Sequence, residues 1–484
     1  MQQKKFVTNI AFLIILNLLI KPFWPLGIEP AVQNAVGNAS YGEYAILFNF
    51  SFLLNIILDF GVTQFNNKNI AQNNHLLTKH FSSLFTLKLV LGVLYFVITL
   101  LLGVILGYDF RYMKLLSVLA LNQFLISMIL YLRSSLLGLH LFKTDSFVSV
   151  ADRVIMIIIC MMLLLRWFGL EIDIMSFVYA QVIGYFFTAV IAFATVYSKT
   201  SHFRLTWNLP FSLMILKQSF PFAVLVLLMT FYNRLDSVML GSLLPEGEGS
   251  EQAGIYAKGF RLLEAGNMIA YLFSVQLIPI FSRMIKHKEN VEQIVKTSFI
   301  LLIAPALVVS AGCFFYAQEI SGLINHLKPG QVSDSYREFS ILMLCFTAVS
   351  TTYVFGTLLT ANGNLKQLNT MALIAICINL VLNFILIPNY KALGSAYASL
   401  TTQVFTAGIQ IYFAVRIFKF KFNTKLIVSL LIFIAGVVGF NLFSKTLTPN
   451  WLINFAAMCV FCGLWAFVSG LLNIRSIYKF IKFK

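Results

Sequence analysis

Residues 41–61 read YGEYAILFNFSFLLNIILDFG, and residues 253–265 read AGIYAKGFRLLEA. Both open on a glycine followed two positions later by a tyrosine, Gly42 with Tyr44 and Gly254 with Tyr256, and both run on into a helix-length stretch. A basic residue precedes each at matched spacing. Lys21 lies 23 residues before Tyr44, and Arg234 lies 22 before Tyr256. The chain therefore contains two related halves, and the spans between the two stretches say how the halves are arranged.

Apolar runs of helical length number about fourteen, near 8–29, 42–66, 82–107, 113–138, 146–169, 174–197, 213–241, 253–280, 297–318, 339–361, 367–388, 392–417, 425–443 and 451–472. A transmembrane helix takes roughly 20 residues, so each run is long enough to cross a bilayer. Six spans separate the second from the eighth. That number is even, so the repeats keep the same orientation and are related by an axis along the membrane normal, an arrangement that transporters use. The expected organisation is an N-lobe at 1–205, a C-lobe at 206–420 and two additional helices at 421–484.

Composition agrees. Of 484 residues, 59% are hydrophobic and 11% charged, against about 25% charged in soluble domains. Soluble enzymes, nucleic-acid binders and disordered scaffolds are excluded. The net charge of +17 is read as membrane topology, since Lys and Arg accumulate on cytoplasmic loops. With the N-terminus inside, twenty basic residues fall at inner span ends. Seven fall outside: Arg111, Lys114, Arg166, Lys328, Arg337, Lys391 and Lys445. A missed or surplus span would scramble this asymmetry, so both termini are expected in the cytoplasm. Lys4, Lys5 and the apolar stretch after them lack a signal-peptidase site and read as a retained first helix. The six cysteines lie in apolar runs, Cys459 and Cys462 have no second pair or nearby histidine, and the histidines are scattered. Neither a metal nor a cofactor is expected.

Charges inside spans are the informative residues, because each costs on the order of 2.5–3.5 kcal/mol at a helix centre. Lys88, Arg133, Asp152, Arg153, Lys217 and Asp59 lie near cytoplasmic ends, where long side chains snorkel. Asp59 and Lys88, on consecutive spans, are positioned to pair. Asp152 and Arg153 are neighbours and are expected to point apart. Lys21, Arg234, Asp236, Lys258, Arg261 and Glu264 resist that reading, because they sit nearer the middle of the first, seventh and eighth spans. Lys258, Arg261 and Glu264 follow at intervals of three and share one helix stripe. Four cations against two acids predict a hydrated, net-basic central cavity that receives an anion. Lys21-Pro22-Phe23-Trp24-Pro25 is expected to interrupt the first helix, and Pro221 stands at the equivalent place in the seventh span. The outer segment 319–338, with Glu319, His326, Asp334 and Glu338, reads as an ordinary polar loop.

Together with TLLTANGNLK (357–366) and LGSAYASLTTQ (393–403), the two opening stretches make the chain resemble the Wzx-like O-antigen and capsule flippases. These belong to the multidrug/oligosaccharidyl-lipid/polysaccharide (MOP) exporter superfamily. The resemblance implies an all-α integral membrane protein of two six-helix, MATE-like lobes plus two C-terminal helices. It implies a flippase and not an enzyme, carrying undecaprenyl-diphosphate-linked oligosaccharides to the outer leaflet of the bacterial inner membrane by alternating access. The family's basic cavity residues correspond by type to Lys21, Arg234, Lys258 and Arg261, the expected diphosphate-binding set. Asp236, Glu264 and Asp59 are the expected charge partners or ion-coupling groups, driven by a proton or sodium gradient. The other partners expected are membrane lipids, and no nucleic acid. A lipid II flippase and a multidrug antiporter of the same fold are the alternatives, ahead of a membrane glycan polymerase or ligase. A drug antiporter would want acidic residues for cationic substrates, and an enzyme would need an acid/base constellation or a large outer loop.

The topology is tested at the C-terminus. A fluorescent protein fused after Lys484 should fold and emit, and alkaline phosphatase fused there should be inactive; the opposite pattern refutes a cytoplasmic end.

Overall fold

The computed structural model describes residues 20–63, 66, 70, 76–139, 141–169, 171–200, 204–245, 247–325, 332–420 and 423–472. The expected cytoplasmic placement of both ends and the first half of the first span fall on residues outside these. Among the described residues the chain is almost entirely helical, and no strand occurs. A π-helical turn, Trp24–Ile28, leads into α1 (Glu29–Val36), α2 (Asn38–Leu53), the short α3 (Ile56–Asp59), α4 (Leu76–Ile105), α5 (Phe110–Gly138), α6 (Phe142–Leu164) and α7 (Ile174–Tyr197). There follow α8 (Leu209–Leu243), α9 (Glu248–Lys286), α10 (Glu292–Phe315), α11 (Ala317–Asn325), α12 (Val332–Ala361), α13 (Leu365–Phe418), α14 (Thr424–Ser444) and α15 (Trp451–Val468). Nine helices among the described residues are long and apolar enough to cross a membrane. One of them, α13, holds two expected spans. Its backbone leaves helical geometry at Lys391 (φ 54°, ψ −132°), shortly after Pro388, which cannot donate to the helical ladder.

Polar residues in the connections start the helices. Asp109 accepts from Tyr112 N at 2.8 Å, and Asp173 closes a capping box with Ser176. Asn208 and Asn423 accept from Phe211 N and Leu426 N at 3.1 and 2.9 Å. Each of these side chains satisfies an amide that the first turn leaves unpaired.

Along α4, Leu84, Leu87, Leu91 and Tyr95 are buried, whereas Val90, Val93, Val97, Leu101 and Val104 are exposed. The exposed set recurs every three or four residues and so forms one stripe. An uninterrupted apolar stripe open to the surroundings marks a face that meets lipid.

The chain divides into two compact units, residues 1–254 and 255–484. In the first unit α2 packs on α8 and α5 on α7, around a core that includes Leu84, Tyr131, Leu136 and Ala192. The repeat counts α8 with the second lobe, but by packing it lies in the first unit. In the second unit α12 packs against α10 and α13, around Leu277, Phe281, Leu302 and Phe355. The last two helices join α10 through Ala304, Phe433, Val437, Met458 and Cys462. Tyr316 and Ser444 share a 2.6 Å hydrogen bond there.

The tyrosines of the repeated motif make equivalent bonds within their own units. Tyr44 accepts from Gln181 Nε2 at 3.1 Å, and Tyr256 shares a 3.0 Å hydrogen bond with Ser399. The glycines of the motif are used for close approach. A Cβ on Gly42 would run into the Ser250 carbonyl, and one on Gly254 into the Asn38 carbonyl. Gln33 Nε2 donates to the Gly254 carbonyl at 2.8 Å.

Because the obstacle at Gly42 is backbone, Gly42→Ala should destabilise the purified protein by roughly 1–3 kcal/mol, the usual cost of overpacking. Gly408→Ala, where nothing lies within 4 Å, should not lower the melting temperature.

Candidate functional site

The second span is broken in the middle. α2 ends at Leu53, α3 lasts four residues, and Phe60 and Gly61 then adopt φ of 43° and 81°. A helix that stops at membrane depth leaves carbonyls without partners. Lys88, on α4, fills that need: Nζ donates to Leu58 O at 2.7 Å, to Ser127 Oγ at 2.6 Å and to Asp59 Oδ1 at 2.9 Å. Thr63 donates to the same carboxylate oxygen through its hydroxyl and, at 3.3 Å, its amide. Asp59 is thus engaged as the partner of a buried, helix-capping lysine.

A second cluster forms around the interruption in the first span. The expected break at Lys21–Pro25 takes the form of the π-turn, a departure from α geometry that often accompanies functional sites. It turns the Trp24 ring onto Phe177, with centroids 5.8 Å apart and planes 10° apart, and Trp24 Nε1 donates to Glu29 Oε1 at 2.5 Å. The Arg153 guanidinium stands 5.4 Å from the centre of the Trp24 ring, and Arg153 also hydrogen-bonds Tyr185. Asp152 and Arg153, expected to diverge, lie 3.8 Å apart, because the guanidinium folds back. Arg133 makes a two-pronged ion pair with buried Asp145, at 2.7 and 3.0 Å. Lys21 lies within electrostatic reach of Arg133, Asp145, Asp152 and Arg153.

Placing Arg133, Asp152 and Arg153 among snorkelling residues therefore separated them from Lys21, which the fold puts beside them. One signal was available. Arg133 and Asp145 lie at similar distances on either side of the short α5–α6 connection, which is where an antiparallel hairpin brings residues opposite one another. Glu29 and Tyr185 carried no comparable sign.

On α8, the Arg234 guanidinium sits 4.8 Å from the centre of the Phe52 ring, and Nη1 lies 3.5 Å from Asn49 Oδ1. It therefore stands next to the end of α2, and Asp236 is buried nearby in sequence.

In the second unit, Lys258 and Arg261 are both buried on α9, and Glu264, one further turn along, acts electrostatically on Tyr353 of α12. Glu338 corrects the reading of 319–338 as a polar loop. Residues 317–325 and 332–361 are helical, and Glu338 is 1% exposed. Its carboxylate packs onto α9 at Gly259, where a Cβ would lie 2.6 Å from Oε1. Lys258, Gly259, Ser321 and Glu338 line one small hollow. Among the described residues Glu338 Oε1 has no hydrogen-bond partner.

A family model for polysaccharide biosynthesis proteins matches residues 6–285. The chain belongs to that family. Among curated relatives, an uncharacterized membrane protein of Bacillus subtilis strain 168, YabM, is 28% identical over 210 residues. That match covers 41% of this chain and 37% of the relative, so the chain spans well under half of its length. Among solved structures, the lipid II flippase MurJ in an inward closed conformation aligns with a TM-score of 0.69 at 15% identity, covering 96% of this chain and 98% of that one. An inward-facing multidrug resistance transporter of the MATE family aligns with a TM-score of 0.65 at 14% identity, covering 86% and 98%. The chain shares the all-helical fold of these two structures.

For this polysaccharide biosynthesis family member, the contacts alter the expected charge balance. Around the π-turn, Lys21, Arg133 and Arg153 are matched by Glu29, Asp145 and Asp152. On the second unit, Lys258 and Arg261 are accompanied by Glu264 and Glu338. Four cations against two acids undercounted the acids, because partners distant in sequence are close in the fold. Around the π-turn the arrangement offers cations that carboxylates hold in place.

Removing one member of a buried ion pair leaves the other uncompensated. Arg133→Ala and Asp145→Asn should each destabilise the protein by on the order of 3 kcal/mol. The combination should lose less than the sum, as read by thermal unfolding of the purified variants.

Proposed function

We propose that this protein flips undecaprenyl-diphosphate-linked oligosaccharide repeat units, of O-antigen, capsule or another polysaccharide, to the outer leaflet of the bacterial inner membrane by alternating access. The observation that carries this reading is the pair Lys258 and Arg261, buried one turn apart on α9 in a member of the polysaccharide biosynthesis family. A diphosphate entering hydrocarbon needs charge-assisted hydrogen bonds to offset its desolvation, and Arg and Lys supply them. Lys21 and Arg234, each beside an interrupted helix, complete the diphosphate-binding set. The glycan takes a hydrated path, and the polyprenyl tail stays in the bilayer.

The carboxylates Asp236 and Glu264 hold the cations while substrate is absent, and Asp59 stays with Lys88. Glu338 is the ion-coupling group. Its buried carboxylate packs on α9 at Gly259 and shares a hollow with Lys258, beside the cations that substrate would engage.

Lipid II transport is the second reading. The MurJ alignment reaches 96% of the chain against 86% for the MATE transporter, which favours a lipid-linked substrate over a multidrug one.

The test uses liposomes with a fluorescent undecaprenyl-diphosphate oligosaccharide or lipid II in one leaflet, followed with a membrane-impermeant reagent. Arg261→Ala, correctly inserted, should slow glycan transfer about tenfold or more, the value of one charge-assisted contact; transfer at the wild-type rate refutes the diphosphate role. Glu338→Gln should keep downhill transfer and lose its response to a pH gradient. Faster transfer of lipid II than of any glycan repeat selects the second reading.

A further inference from the structure

We propose that a crevice on the second unit, formed by the starts of α10 and α14 and the segment after α15, binds the phosphate of an anionic membrane lipid. The crevice measures about 240 Å³, against roughly 10–15 Å³ needed for a single water. Lys296 and Thr297 enter it from α10, Lys425 and Ser429 from α14, and Leu471 and Leu472 from the segment that follows α15.

Three features specify an anionic amphiphile. First, two lysines from different helices converge on one cavity, and among the described residues no carboxylate lines it. Glu292, one turn before Lys296 on α10, is not among the lining residues. Second, both lysines lie near helix N-termini, where the backbone dipole is already positive and a cation is disfavoured. Lys425 is the second residue of α14, behind the cap Asn423, and Lys296 the fifth of α10. An anion between them would relieve their mutual repulsion. Third, apolar side chains, Ile300, Leu301 and Leu426, line the crevice beside the polar groups, which also include Gln293. On α14 the neighbouring Val428 and Leu431 are exposed and meet lipid. Tails anchored by a headgroup in the crevice lie along that surface, which a free phosphate cannot use. Lys296 and Lys425 both belong to the cytoplasmic set in the sequence reading, where the leaflet is negatively charged. The site is separate from Lys258 and Arg261 and does not depend on the transport reading.

The test is native mass spectrometry of the full chain released from detergent containing phosphatidylglycerol, phosphatidylcholine or soluble glycerol phosphate. Wild-type protein should retain phosphatidylglycerol in preference to phosphatidylcholine. Joint replacement Lys296→Gln and Lys425→Gln should lower that retention about tenfold. Lys366→Gln, an exposed lysine at the start of α13, should leave it unchanged. Undiminished retention in the double variant overturns the site. Retention of glycerol phosphate equal to that of phosphatidylglycerol overturns the lipid and leaves a free-anion site. A measurement that keeps both lysines guards against misfolding. A fluorophore on Ser429→Cys, with the exposed Cys377 and Cys459 replaced by serine, should be quenched more by brominated phosphatidylglycerol than by brominated phosphatidylcholine in nanodiscs. Equal quenching overturns the proposal.

Discussion

A carbonyl released by a broken helix inside a bilayer has no water to turn to, and that constraint organises this protein. At Leu58 the freed oxygen is taken by Lys88, whose ammonium in turn satisfies Asp59 and Ser127. The lysine is tolerated because it caps a helix end, where a cation is favoured. The break is tolerated because the lysine is there. Neither residue makes sense alone, and together they let the second span bend without exposing a polar group to hydrocarbon.

The same rule governs the charges around the π-turn. Burying an ion is expensive unless it is paired and hydrogen-bonded, and the fold brings Arg133 to Asp145 and Arg153 to Asp152, Tyr185 and the face of Trp24. An aromatic face suits a guanidinium in such a place, because the ring attracts the cation without adding a second charge. Such compensated groups can be kept in the membrane, where a permanently bare cation would be costly.

Much of the fold was legible along the chain. Span-length apolar runs become helices because the bilayer leaves the backbone no other partner than itself. Most boundaries differ by a few residues, where caps such as Asp109 and Asp173 decide the start. The merged α13 was legible as two spans on either side of Pro388. The Asp59–Lys88 pair was legible as well, because consecutive spans placed the two opposite one another. Arg153 and Glu338 were misread for one reason. Their surroundings come from residues far away in sequence, Trp24 and Tyr185 for one and Gly259 for the other, and periodicity says nothing about which faces meet.

Hydropathy by itself determined that the chain is an all-helical, multi-pass membrane protein, because solvation in a bilayer acts on each segment separately. It also marked Lys21, Arg234, Lys258 and Arg261 as costly and therefore informative. Only the tertiary structure decided which of those charges are compensated and by what. Pairing depends on distances between helices, and those are set by packing, down to the bare backbone contacts at Gly42 and Gly254 that no local pattern encodes.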